Sequence, residues 1–238
     1  MKNNTIEMSM LYSEASISNQ FSKESFRHFL QENEIFPSNG IKQKYRKNDI
    51  ILLENEIIND VYFIESGHVA SMKGEKQISD FYTDSEILGF TKLLLNNNSE
   101  YSFKVISNEV TVTKYTKEHI IDKIFNTQEG YFYHYVFIQN QISRMFEKVE
   151  LIRLPSKQRV SLAVLQLCSR FGEKTEDQDV ICFPRHIGKA VLGQYVNLNP
   201  NTITNILRKL EEEDIVYPSR STFYVNILKL QKKIQTFL

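Results

Sequence analysis

The chain has 238 residues, 41% hydrophobic and 24% charged, the make-up of a soluble globular protein with one large domain or two modest ones. Lys and Arg number 29, as do Asp and Glu, so the chain is neither uniformly basic nor uniformly acidic. No apolar run approaches a membrane span, Met1 to Gln20 lacks the apolar core of a signal peptide, and two cysteines, Cys168 and Cys182, are too few for a disulfide scaffold. The expected location is the cytoplasm.

Met1 to Asn19 shows no pattern and reads as a tail. Phe21 to Glu34 predicts a short helix with Phe21, Ser25, Phe26, Phe29 and Leu30 on its apolar side, followed by the turn cluster Pro37-Ser38-Asn39-Gly40. From Ile41 to Tyr115 the pattern changes to strands: Ile41–Arg46, Asp49–Leu53, Asp60–Glu65, His68–Met72, Gln77–Tyr82, Tyr101–Ile106 and Glu109–Tyr115. Short β-branched and aromatic runs at this spacing predict an antiparallel sandwich or barrel. Glu118 to Phe125 follows as a short helix.

A long helix is predicted from about Gln128 to Leu154. Tyr131, Tyr135, Ile138, Ile142, Met145, Val149 and Ile152 are spaced 4, 3, 4, 3, 4, 3, an unbroken heptad seam. The plain alternative is a single amphipathic helix lying on its own domain. A second stripe, Phe132, Val136 and Phe146, is available for that purpose and leaves the seam for another copy of the chain.

Leu154-Pro155 ends the helix, because the residue before proline avoids the α region. Ser156 is placed to cap the next helix, which runs to about Phe171 and buries Val160, Ala163, Val164, Leu167 and Cys168. Gly172 to Asp179 reads as a polar, acidic loop and Val180–Phe183 as a short strand.

Lys189 to Arg208 reads as helix, tight turn, helix. Leu192 and Val196 share one face, Ile203 and Ile206 the next, and Leu198 plugs the corner. Gly193 is small where two helices press together, and Asn197 suits a left-handed turn. Asn199-Pro200 supplies an N-cap and a proline at the first helical position. This is the pattern of a helix-turn-helix, whose second helix enters the DNA major groove. The plain alternative is a helical hairpin of some other all-α domain. The hairpin Ile215–Tyr217 and Thr222–Val225 follows directly, flanking Pro218-Ser219-Arg220-Ser221, as a wing would. Ile227 to Leu238 closes the chain as an amphipathic helix. The charge is uneven in the right sense: Pro155 onward holds 12 Lys and Arg against 8 Asp and Glu, leaving 17 against 21 before it.

If Ile203, Ile206, Leu207 and Leu210 face the core, then Asn201, Thr202, Asn205, Arg208 and Lys209 face outward as candidate DNA readers, with Asn199 at the head of the helix. Asn pairs bidentately with adenine and Thr contacts the thymine methyl, so an A·T-rich half-site is expected, repeated at roughly 34–36 Å. Arg220 and Ser221 at the wing tip are phosphate candidates, each weighed against an ordinary solvated surface residue.

Three stretches, Asp60-Val-Tyr-Phe-Ile-Glu-Ser-Gly67, Ser85-Glu-Ile-Leu-Gly-Phe90 and Asn199-Pro-Asn-Thr-Ile-Thr-Asn-Ile-Leu-Arg-Lys-Leu-Glu211, together with the order of elements, resemble the Crp/Fnr family of bacterial transcription regulators over about Ile41 to Val225. The resemblance implies an α+β fold: an N-terminal antiparallel β-roll of the cyclic-nucleotide-binding type, a long dimerisation helix, and a C-terminal winged helix-turn-helix domain. The corresponding domains are 1–127, 128–154 and 155–238. It also implies a cytoplasmic homodimer on a pseudo-palindromic promoter site on double-stranded DNA, usually an activator touching RNA polymerase, with Lys189 at a phosphate-contacting position.

This sequence departs from the family at informative places. Cyclic-AMP-binding members carry Arg-Ser or Arg-Thr where Tyr101-Ser102 stands here, and Ser85 replaces the Gly of the Gly-Glu motif. The bidentate clamp for a phosphate is missing, so control by cyclic AMP is not expected. Members that read G·C pairs place Arg, Glu and Arg at the positions of Pro200, Asn201 and Asn205. Iron–sulfur sensing needs about four cysteines, and His28, His68, His119, His134 and His186 form no recognisable haem ligand pair, so no metal or cofactor is expected. Some relatives in low-GC Gram-positive bacteria bind glutathione between the β-roll and the DNA-binding domain, and the Asn-, Lys- and Ile-rich composition fits such a host. The effector, where there is one, is a small molecule or peptide left unidentified. An enzyme on a cupin-like barrel would need clustered metal ligands, and Ile41 to Tyr115 contains His68 alone. The remaining alternative is a constitutive DNA-binding or protein-interaction module whose β-roll is only scaffold.

Overall fold

The computed structural model describes residues 13–31 and 40–236. These form two compact units, one comprising residues up to Gly74 with Phe81–Arg144, the other Glu75–Asp80 with Met145 onward. The architecture is the expected α+β arrangement of antiparallel roll, long helix and winged helical domain.

In the first unit, α1 (Glu14–Gln20) and α2 (Lys23–Gln31) precede the strands. The α1 helix corrects the reading of Met1 to Asn19 as a patternless tail. It starts at Ser13, whose side chain accepts from Ser16 N, and it buries no residue of its own, so no apolar stripe marked it. Residues 1–12 and 32–39 lie outside the described residues, and with them the end of the Phe21–Glu34 helix and most of the Pro37–Gly40 turn cluster. Strands β1 (Ile41–Arg46), β2 (Ile50–Leu52), β3 (Asp60–Ser66), β4 (Val69–Lys73), β5 (Gln77–Tyr82, whose residues up to Asp80 count with the second unit), β6 (Ile87–Leu88), β7 (Ser102–Val105) and β8 (Glu109–Thr116) build two four-stranded sheets. Their orders are β1-β8-β3-β6 and β2-β7-β4-β5.

The interior of the roll is filled by aliphatic and aromatic side chains, among them Tyr62, Ile64, Tyr82, Leu88, Phe103 and Val105. A second cluster beneath α2 stacks Phe26 on Phe90 and on Tyr133, with ring centroids 5.0 Å apart in each pair. The turn from β3 to β4 needs Gly67: its φ is +96°, and a Cβ there would lie 2.4 Å from the Glu109 carbonyl oxygen.

Helix α3 (Lys117–Phe125) leads to α4 (Tyr131–Arg153), a helix of 23 residues. It starts later than Gln128 because Gly130 N bonds to Thr127 O and Glu129 takes a left-handed φ of 65°. The face toward its own roll is Tyr133, Val136 and Phe137. This corrects the stripe Phe132, Val136 and Phe146: Phe132 stacks on Phe21 at 5.0 Å, but Phe146 is 62% exposed.

In the second unit, α5 (Ser156–Phe171) is capped by Pro155 without a side-chain bond, so Ser156 is its first residue and not its cap. The acidic loop after α5 contains a short strand, β9 (Glu173–Lys174), which pairs with β10 (Val180–Cys182). Then come α6 (Lys189–Val196), α7 (Pro200–Glu212), β11 (Val216–Pro218), β12 (Phe223–Asn226) and α8 (Ile227–Gln235). The third sheet is ordered β11-β12-β10-β9. Among the described residues no helix is long and apolar enough to cross a membrane.

Candidate nucleic-acid interface

Helix α6 buries Leu192, Gly193, Tyr195 and Val196. It stops because Asn197 turns left-handed, with φ 54° and ψ 50°. The carbonyl of Gly193 then accepts from both Asn197 N and Leu198 N, the latter at 2.9 Å. Asn199 Oδ1 accepts from Asn201 N at 2.9 Å and Pro200 occupies the first turn, so α7 starts where its cap dictates. Ile203, Ile206, Leu207 and Leu210 are buried, as the apolar spacing requires. Asn201, Asn205, Arg208 and Lys209 are exposed, whereas Thr202 is half-buried.

The wing is a β11–β12 hairpin with Pro218 opposite Phe223. Ser219 N donates to Thr222 O at 3.0 Å, which leaves Arg220 and Ser221 at the tip. The hairpin is fixed next to its tip by Phe183, which donates its N–H to Phe223 O at 2.9 Å and stacks on the Phe223 ring at 4.4 Å.

Between α7 and the wing lies a groove of 430 Å³, lined by Arg185, Lys189, Arg208, Arg220, Ser221 and Glu211 among others. Four cations thus line one concave surface together with a single carboxylate, Glu211. Among the described residues no carboxylate pairs with Arg185, Lys189 or Arg220, and Arg208 approaches Glu212 only to 3.9 Å. The structure therefore brings together Lys189, Arg208, Arg220 and Ser221 of the sequence-derived set. Asn201, Thr202, Asn205 and Lys209 lie outside the groove lining, and the Asn199 side-chain oxygen is taken up by the cap. Arg185 was not singled out from the sequence. Its only local signal is its place just after the strand and Pro184, ahead of α6.

The roll carries a different kind of site. Ser85 holds a left-handed φ of 64°, a conformation that glycine adopts more readily. Glu86 beside it is buried, and its carboxylate is gripped by Lys23 at 2.9 Å and by Arg144, while Thr83 N donates to it at 2.8 Å. Burial pushes its pKa up, but Arg144 and Lys23 outweigh this and hold it below the usual carboxylate value. Tyr101 is half-buried with the Lys73 ammonium over its ring at 5.8 Å, and Ser102 Oγ accepts from Glu54 N at 3.0 Å. Cys168 and Cys182 are both buried, and burial pushes the Cys168 thiol up to about 12, with the Cys182 thiol adding to it. Among the described residues no group of three or more His, Cys, Asp and Glu is placed to hold a metal.

Of the surface apolar residues, Tyr131, Tyr135, Ile142, Met145 and Val149 all lie exposed on α4, Met145 by 57%. Ile138 instead packs partly into its own core.

Residues 42–127 match the cyclic nucleotide-binding domain family. The fold is shared, over most of the chain, with solved structures of low sequence identity. A cyclic nucleotide-binding domain containing protein from Listeria monocytogenes is 20% identical, with TM-score 0.71, over 87% of this chain and 99% of that one. FixK2 from Bradyrhizobium japonicum is 17% identical, with TM-score 0.69, over 81% and 96%. A CRP/FNR-family transcriptional regulator from Thermus thermophilus is 13% identical, with TM-score 0.65, over 82% and 98%. No curated protein matches the chain in sequence.

Proposed function

We propose that this chain is a homodimeric, sequence-specific DNA-binding transcription regulator of the Crp/Fnr type. The observation that carries the reading is the groove beside α7, where Arg185, Lys189, Arg208 and Arg220 gather with almost no neutralising carboxylate. Such a surface binds phosphates, and the exposed polar face of α7 supplies the base readers. The fold shared with the Thermus thermophilus regulator supports the same class.

Asn201, Thr202 and Asn205 favour adenine and thymine, so the operator is an A·T-rich pseudo-palindrome with half-sites roughly 34–36 Å apart. The exposed apolar seam on α4 is the dimer contact: Tyr131, Tyr135, Ile142, Met145 and Val149 are the side chains that a second copy would cover. Ile138 and Ile152 contribute less, being already half-buried. The protein acts in the cytoplasm as an activator alongside RNA polymerase.

Cyclic AMP does not control it. Tyr101 stands where a phosphate-clamping Arg would be, and the roll interior is packed with Tyr62, Tyr82 and Phe103. That packing also favours the second reading, a constitutive DNA-binding module with a scaffold roll. A ligand that shifts DNA affinity would rule the second reading out. The primary test is Asn205→Ala, which should relax selectivity at one base pair and cost about 1–3 kcal/mol of binding. Unchanged selectivity in that variant would remove Asn205 from the readout.

A further inference from the structure

Lys148 lies on the part of α4 that belongs to the second unit, and its side chain turns inward. The ammonium donates to Ile78 O at 3.2 Å, in the Glu75–Asp80 segment of the same unit, and to Tyr195 O on α6. It also sits 3.2 Å from the centre of the Tyr195 ring. No carboxylate among the described residues bonds to it. Asp80 pulls on its charge from a distance and is itself paired with Arg170 at 2.8 Å. Burial brings the Lys148 pKa down to about 7, against the upward pull of Asp80.

A half-buried ammonium that bonds to carbonyls and no carboxylate adds little to the stability of a fold. Its three contacts say what it holds instead. Tyr195 is in the last turn of α6, where carbonyls have no partner within the helix and the helix dipole favours a cation. The next carbonyl, Val196 O, is taken by Arg159 Nη1 at 3.0 Å, and Arg159 is anchored in turn on Leu154 O. Two cations from α4 and α5 thus clasp the end of the first helix of the helix-turn-helix. Helix α6 presses on the α7 corner at Gly193, so what fixes α6 fixes α7.

We propose that Lys148 is a positioning residue for DNA binding: its ammonium, seated on the Tyr195 carbonyl and ring, sets the placement of α6 and α7 on the end of the long helix, and DNA affinity follows the charge on this one side chain. The inference rests on the DNA-binding reading above. The groups that face Lys148 are Tyr195 on α6 and Asp80 on β5, the latter paired with Arg170 on α5; Arg159 on α5 holds the neighbouring Val196 carbonyl.

The test compares the full chain with Lys148→Met and Lys148→Arg, on the DNA that the wild type selects, at fixed salt from pH 6 to 8.5. Lys148→Met removes a half-buried charge that has no carboxylate partner, so it should melt close to the wild-type temperature near neutral pH. It should nevertheless bind DNA about tenfold more weakly, the equivalent of one charge-assisted hydrogen bond. Lys148→Arg keeps its charge throughout and should recover most of the affinity. Wild-type affinity should fall relative to Lys148→Arg as the pH rises through about 7. Lys148→Met binding within twofold of wild type, or parallel pH profiles for those two proteins, would overturn the inference and leave the DNA-binding reading intact. A wild-type chain that binds no DNA would overturn both.

Discussion

Gly193→Ala should destabilise the protein and weaken DNA binding together. A Cβ on Gly193 would lie 2.7 Å from the Leu198 carbonyl oxygen, with Ile203 Cγ1 and Pro200 N both at 3.7 Å. The first contact is too short to survive, and its partner is backbone, so the turn between α6 and α7 must open by several tenths of an ångström. Two terms compete. Alanine is the better helix former by about 1 kcal/mol. Overpacking a tight site costs roughly 1–3 kcal/mol. The close contact is with the backbone and Gly193 is fully enclosed, which places the cost at the upper end. The net loss is then about 1–2 kcal/mol, or roughly 2–8 °C in Tm for a chain of this size. The same opening tilts α7 away from its groove, so affinity for the selected site should drop by about tenfold. Thermal melting by circular dichroism and anisotropy titration measure the two effects. A variant that melts higher than the wild type and binds DNA equally well would refute the close-approach argument, because helix propensity alone would then have decided the outcome.

The double variant Ile142→Glu, Met145→Glu places like charges on the exposed seam of α4. If the proposed dimer forms through this seam, the variant should sediment as a monomer at concentrations where the wild type sediments as a dimer, and an unchanged dimer would move the interface elsewhere. Arg220→Ala removes one phosphate candidate per protomer. It should weaken binding to every sequence alike and flatten the slope of log K against log salt by about 2 for the dimer, at about 0.9 per lost contact. A change in sequence preference with an unchanged salt slope would make Arg220 a base reader instead.

The helix-turn-helix was legible because its instructions are local. Leu192, Val196, Ile203 and Ile206 carry the period, Asn197 marks the left-handed turn, and Asn199-Pro200 caps the second helix within three residues of it. The strands of the roll were legible for the same reason. Elements made by tertiary contact were not. Glu173 and Lys174 form a strand only because β10 runs beside them. Glu129 adopts a left-handed φ that nothing in its side chain announces, and it delays the long helix. The clasp on Glu86 joins Lys23 and Arg144, residues 63 and 58 positions away. Arg185 belongs to the groove only because α6, α7 and the wing converge on it. Half-buried Lys148 was invisible for a simpler reason: sequence offers no sign that one lysine of a long helix turns inward.

The most direct test of the account is the DNA that the purified protein selects from a random pool, at stated salt and without added ligand. The account predicts a two-fold symmetric, A·T-rich site with half-sites one helical turn apart. Failure to select any sequence, both alone and in the presence of cell extract, would contradict it.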